Sequence, residues 1–211
     1  RLVLLHEKAH PGGFRREIKV FIAYVGEGTQ LTILDVSNPA APVVAGKSPV
    51  FLDVVEDVTV EGNYAYVSLG YEGIAILNIT DPSAPIIVGT LAMPLYSHAG
   101  DTVVAGQYAY VYDNSEGLLM IIDVANPAAP SHTGSIYLGG DIRGLSVAGG
   151  YAYMITPDSL ILIDVTDPEH PFVAHEYELA MVWGWSGEAE NMAVAGGDAY
   201  ILTTTNLVRV L

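Results

Sequence analysis

Leu118-Leu-Met-Ile-Ile-Asp-Val-Ala-Asn-Pro-Ala-Ala-Pro130 is an aliphatic run stopped by an Asn-Pro turn. Five consecutive apolar residues suit a strand buried on both faces. Asn and Asp bond the backbone two residues on, and proline fixes φ, so the turn both ends one strand and aims the next. The same phrase recurs as Asp35-Val-Ser-Asn-Pro-Ala-Ala-Pro42, Asn78-Ile-Thr-Asp-Pro-Ser-Ala-Pro85 and Asp164-Val-Thr-Asp-Pro-Glu-His-Pro171. Successive starts lie 43, 45 and 41 residues apart, which makes the period a property of the chain rather than of one segment.

A second phrase precedes the first at the same period. It reads Gly62-Asn-Tyr-Ala-Tyr-Val67, Gly106-Gln-Tyr-Ala-Tyr-Val111, Gly149-Gly-Tyr-Ala-Tyr-Met154 and Gly196-Gly-Asp-Ala-Tyr-Ile201, with a degenerate copy at Ile22-Ala-Tyr-Val25. Each unit therefore reads as four strands: a short apolar strand, a glycine turn, the Tyr-Ala-Tyr strand, the aliphatic strand, then the Asx-Pro turn and a fourth strand. Four strands in 40–45 residues is the arithmetic of a β-propeller blade. The expected fold is all-β, with about five repeats in a ring of six or seven blades. The blades are expected at about 16–52, 53–96, 97–139 and 140–186, with 187–211 incomplete. Residues 1–15 read as a partial strand and an irregular segment, and Leu2–Leu5 resembles the third strand of a preceding blade.

The phrases Leu119-Met-Ile-Ile-Asp-Val124 and Leu160-Ile-Leu-Ile-Asp-Val165 resemble the LVIVD repeat. That resemblance covers roughly residues 16–211 and implies a β-propeller, often secreted or displayed on bacterial and archaeal surfaces. It implies a scaffold rather than a reaction, so function must be read from a site.

Composition narrows the classes. Half the residues are hydrophobic (51%) and only 15% are charged, so a large core can form and disorder is excluded. The net charge of −16 repels nucleic acid and anionic membranes, and suits cations or a basic partner. The absence of cysteine removes disulfides, thiolate metal sites and thiol catalysis. No apolar run approaches the roughly 20 residues of a membrane span. No phosphate loop, zinc-protease helix, nucleophile elbow or compact calcium loop is present. His6 and His10 stand four apart, but Pro11 and two glycines follow at once.

Segments that lead into the innermost strands of a propeller converge near the axis, on the face where ligands usually bind. Counting back from each turn glycine, the polar columns there hold Asp57, His98, Asp101, Asp141, Arg143, Glu188, Glu190 and Asn191. Carboxylates with a histidine are ligands for a hard cation such as Ca²⁺. Arg143 among carboxylates can equally clamp an anionic group. The same residues also read as ordinary solvated loop charges. The last repeat is longer by a few residues around Met181-Val-Trp-Gly-Trp-Ser186. There Trp183 and Trp185 can contact a sugar or a protein partner, or pack between blades.

Three functions follow. The first is a non-catalytic extracellular or cell-surface module for protein interaction, adhesion or assembly, with no cofactor. The second is a hydrolase or lyase at the channel mouth, with His98 and a carboxylate such as Asp101 or Glu190 as acid and base. The third is a carbohydrate-binding propeller using the two tryptophans.

Overall fold

A computed structural model describes residues 3–8, 20–94, 97–113, 117–139, 141–179, 189–195, 198–203 and 207–210. Its strands form antiparallel sheets, each repeat folding onto itself. The first sheet holds β1 (Val3–Lys8), β2 (Val20–Glu27), β3 (Gln30–Asp35) and β4 (Val43–Lys47). The second holds β5 (Asp57–Glu61), β6 (Tyr64–Ser68), β7 (Ile74–Asn78) and β8 (Ile86–Leu91). The third holds β9 (Thr102–Ala105), β10 (Tyr108–Asp113), β11 (Leu118–Asp123) and β12 (Ser131–Tyr137). The fourth holds β13 (Gly144–Ala148), β14 (Tyr151–Ile155), β15 (Ser159–Asp164) and β16 (Phe172–Glu178). The last described strands are β17 (Ala189–Ala195), β18 (Asp198–Thr203) and β19 (Leu207–Val210). Strand order within each sheet follows chain order, as in a propeller blade.

One expectation is overturned. Residues 3–8 are the first strand of the first sheet, with Val3 opposite Val25 and Lys8 opposite Val20, not the third strand of a preceding blade. In the second, third and fourth sheets a two-residue glycine turn joins the first two strands, whereas eleven residues separate β1 from β2. That spacing hides the pairing from a repeat count.

The described chain falls into two compact units: residues 1–100 with 126–130, and residues 101–125 with 131–211. In the first, Tyr24, Leu31 and Ile33 meet Val58, Val67 and Leu77 in one core. In the second, Tyr110, Leu119 and Ile121 meet Met154, Ile161 and Ile163, and a further core joins Ile155 and Leu160 to Met192 and Ile201. The third strands are buried on both faces, which explains their unbroken aliphatic runs. Ala65, Ala109 and Ala152 are fully buried, and Tyr66 and Tyr110 nearly so. The Tyr-Ala-Tyr strand is therefore packing.

The Asx-Pro turn works twice in each copy. Asp35, Asn78, Asp123 and Asp164 each accept the N–H two residues on, at 2.8–2.9 Å. Asn38, Asp81, Asn126 and Asp167 then repeat the bond before the second proline. The fourth strand that follows carries a one-residue bulge in each of the four complete sheets.

Beside each of the first three bulges stands a glycine: Gly46 opposite Ile33, Gly89 opposite Ile76 and Gly134 opposite Ile121. The carbonyl of Pro82 lies over Gly46, that of Pro127 over Gly89 and that of Pro168 over Gly134. A Cβ at any of the three would meet that oxygen far inside 3.0 Å. Each turn is thus seated on the outer strand of the preceding repeat, and the segment 126–130 belongs to the first compact unit for this reason.

Candidate functional site

The sequence-derived candidates divide between the two units. In the first, Asp57 opens β5 and is buried opposite Ser68, while the preceding Glu56 donates its N–H to the Ser68 carbonyl at 2.9 Å. The Glu56 carboxylate reaches out to His98, with Oε1 3.8 Å from Nε2. The His98 ring stands edge-on to Tyr71, with centroids 4.9 Å apart at 88°.

Two residues outside the polar columns complete this group. Asp53 Oδ1 accepts the Val54 N–H at 2.8 Å and Oδ2 accepts the Tyr71 N–H at 3.2 Å. Gly70 makes the approach feasible. Its φ is +54°, and an added Cβ would lie 2.9 Å from Asp53 Oδ2 and 3.1 Å from His98 Nε2. Asp53 and Tyr71 escaped the column count because they come from the β4–β5 connection and the β6–β7 turn, whose lengths differ between repeats. The tight Leu69-Gly-Tyr-Glu-Gly73 turn is the signal that marks the spot.

The connection from β4 to β5 also displays apolar side chains. Phe51 and Val55 face inward and are nearly buried, fixed by bonds from their N–H groups to Thr29 O (2.8 Å) and Gly28 O (2.7 Å). Between and beside them Val50, Leu52 and Val54 point outward, exposed by 69%, 87% and 42%, with Tyr71 at 65% nearby in the Asp53 group. Asp53, Glu56 and Glu72 supply negative charge around them.

In the second unit Asp101 lies before β9, where its carbonyl accepts the Tyr112 N–H at 3.0 Å. Desolvation of its carboxyl pushes the pKa above the ordinary aspartate value, although the residue as a whole is exposed. Arg143 places both Nε (3.2 Å) and an Nη (2.9 Å) on one oxygen of Asp141. Asp141 neutralises the guanidinium at short range, which weakens its reading as an anion clamp. Asn191 sits exposed in β17 beside a register shift and accepts the N–H of the next residue, Met192, at 2.7 Å. Asp141 also borders a cleft of about 820 Å³ with Tyr137, Asp158, Ser159, Glu176 and Glu178. Glu188, Trp183 and Trp185 lie outside the described residues, as does the side chain of Glu190.

The structure therefore brings His98 to Glu56 and Asp53, and Arg143 to Asp141. Among the described residues no group of three or more His, Cys, Asp or Glu side chains is arranged to hold a metal ion, and no helix is long and apolar enough to cross a membrane.

No curated protein matches the chain. Among solved structures it is similar to a functionally unknown protein from Desulfotomaculum acetoxidans DSM 771, at 12% identity and a TM-score of 0.66. The alignment covers 87% of this chain and 59% of that one, so the chain spans less than two thirds of that protein's length. At this identity the likeness speaks to fold alone. The family model for the LVIVD repeat matches four times, over residues 22–48, 54–92, 97–137 and 139–178. With matches over most of its length, each falling within one sheet, the chain belongs to the LVIVD repeat family.

Proposed function

We propose that this chain is a non-catalytic protein-binding module that works outside the cell or on its surface. The observation that carries the reading is the rib of Val50, Leu52 and Val54 with Tyr71 nearby. Apolar side chains exposed to this degree on a segment held rigid by its own backbone are the material of a contact surface. Rigid aromatic and aliphatic anchors lose little entropy on binding. The carboxylates of Asp53, Glu56 and Glu72, in a chain of net charge −16, select a partner whose apolar contact is flanked by lysine or arginine. The extracellular placement follows the habit of the family.

The test is a photo-cross-linking residue at position 52, with position 83 as an exposed control on an Asx-Pro turn. The reading expects one discrete adduct at position 52 and none at 83. The partner, identified by mass spectrometry, then binds the purified chain, and Leu52→Asp abolishes that binding. Equal adducts at both positions, or a partner indifferent to Leu52→Asp, overturns the reading.

His98 beside Glu56 favours the second reading, a hydrolase or lyase. It requires a hydrolytic or eliminating activity that His98→Gln removes and Leu52→Asp leaves intact.

A further inference from the structure

Asn78-Ile-Thr80 is the one Asn-x-Ser/Thr triplet in the sequence. On the surface of an exported protein, such a triplet accepts a saccharide on the asparagine nitrogen. It opens the second Asx-Pro turn, in an interior repeat with complete sheets before and after it in the chain.

The turn itself does not call for asparagine. The same position holds Asp35, Asp123 and Asp164 in the other repeats, and all four residues accept the N–H two places on, at 2.8–2.9 Å. A carboxylate makes that bond more strongly because it is charged. The Ser37 hydroxyl and then its N–H hold the Asp35 carboxyl below the ordinary aspartate value, and Thr166 does the same for Asp164. The turn therefore favours a charged group, and the second repeat forgoes one. What asparagine adds is a carboxamide nitrogen.

The local geometry presents that nitrogen. Ile79 is buried, and its N–H bonds the Asn63 carbonyl at 2.9 Å. Asn78 on one side of it is half-buried and Thr80 on the other is exposed. The Thr80 N–H holds the oxygen end of the Asn78 carboxamide on the turn, which directs the nitrogen end away from it. Ile86, opposite Asn78 on β8, is 62% exposed, so this flank is open.

We propose that Asn78 is a glycosylation site, loaded from a saccharide carried on a lipid phosphate. The bond that forms joins Asn78 Nδ2 to the anomeric carbon of the sugar. The bond that breaks joins that carbon to a phosphate oxygen of the carrier. The carrier phosphate leaves with the electron pair, and one Nδ2 proton goes to a base of the transferase. Because this transfer acts on exported chains, the site depends on the extracellular placement proposed above.

Mass spectrometry of the chain recovered from its own cells, with interior and exterior fractions taken separately, tests the site. Fragmentation that preserves side-chain modifications should locate a saccharide on Asn78 in the exterior fraction. Asn78→Asp and Thr80→Ala should each abolish it and leave the circular dichroism spectrum unchanged, since Asp123 and Ala125 hold those positions in the third repeat. Thr80→Ser should retain it. A bare Asn78 in the exterior fraction overturns the proposal and leaves the extracellular placement standing. A bare chain found only inside the cell overturns both. A saccharide that Asn78→Asp leaves in place is attached elsewhere, and it also overturns the site.

Discussion

Gly89→Ala isolates the energy of the joint between repeats. Gly89 has no left-handed φ, so alanine fits its backbone, and at an open site the change would stabilise by about 0.4–1 kcal/mol through the unfolded chain. Here the new methyl meets the Pro127 carbonyl far inside 3.0 Å and Pro130 Cδ at 3.0 Å. Neither is the tip of a flexible side chain, so the turn must lift as a body. Overpacking of this kind costs about 1–3 kcal/mol. The net expectation is a loss of about 1–2 kcal/mol, which in a chain of this size lowers Tm by about 2–8 °C. Gly46→Ala and Gly134→Ala should behave alike. Position 175, at the same register in the fourth sheet, already carries a side chain, so there glycine is the disfavoured residue: His175→Gly should cost about 0.5–1 kcal/mol of strand propensity. Thermal melts followed by circular dichroism read all four. If the three alanine variants melt at or above the parent temperature, the turns shift freely and the joint holds nothing.

Asp101→Asn should raise Tm at pH 7. The folded state holds the Asp101 pKa above 3.8 by desolvation, so the ionised form opposes folding above that range, and the advantage of asparagine should vanish where both states are protonated. Asp164 shifts the other way: bonds from the Thr166 hydroxyl and then its N–H hold the pKa below 3.8. Its contribution is present above 3.8 and lost as pH falls through the folded value, so carboxyl-carbon NMR should find Asp164 titrating early and Thr166→Ala should return it upward. Burial pushes Tyr24 to about 12, so ultraviolet titration should show a phenol that stays protonated well past pH 10, and stability should fall from about pH 10 as the unfolded chain ionises first.

The blade pattern was legible because its signals are chemical. Asx-Pro turns need their own residue types, and the Tyr-Ala-Tyr strand must combine bulk with a methyl. Both recur at a fixed period. The missing first strand was illegible for a reason of length: eleven residues intervene between β1 and β2, and no turn signature ties them. The candidate site was only half legible. His98 and Asp57 fall in polar columns, but Asp53 and Tyr71 reach His98 through connections whose lengths the period does not govern. The glycine seats were in plain sight as Gly46, Gly89 and Gly134, with His175 as the exception. Their meaning needed the register, because a glycine in a strand reads from sequence only as a weakness.

Each seated turn gives a repeat both halves of a fastening: a bare backbone on its outer strand, and the proline carbonyl that fits one. A copied repeat therefore arrives already compatible with either neighbour, and an array can lengthen by duplication without any surface being redesigned. A single codon change at the glycine withdraws a repeat from that exchange. In the fourth sheet the equivalent register position, opposite Leu162, holds His175, so that repeat presents a side chain where the first three present bare backbone.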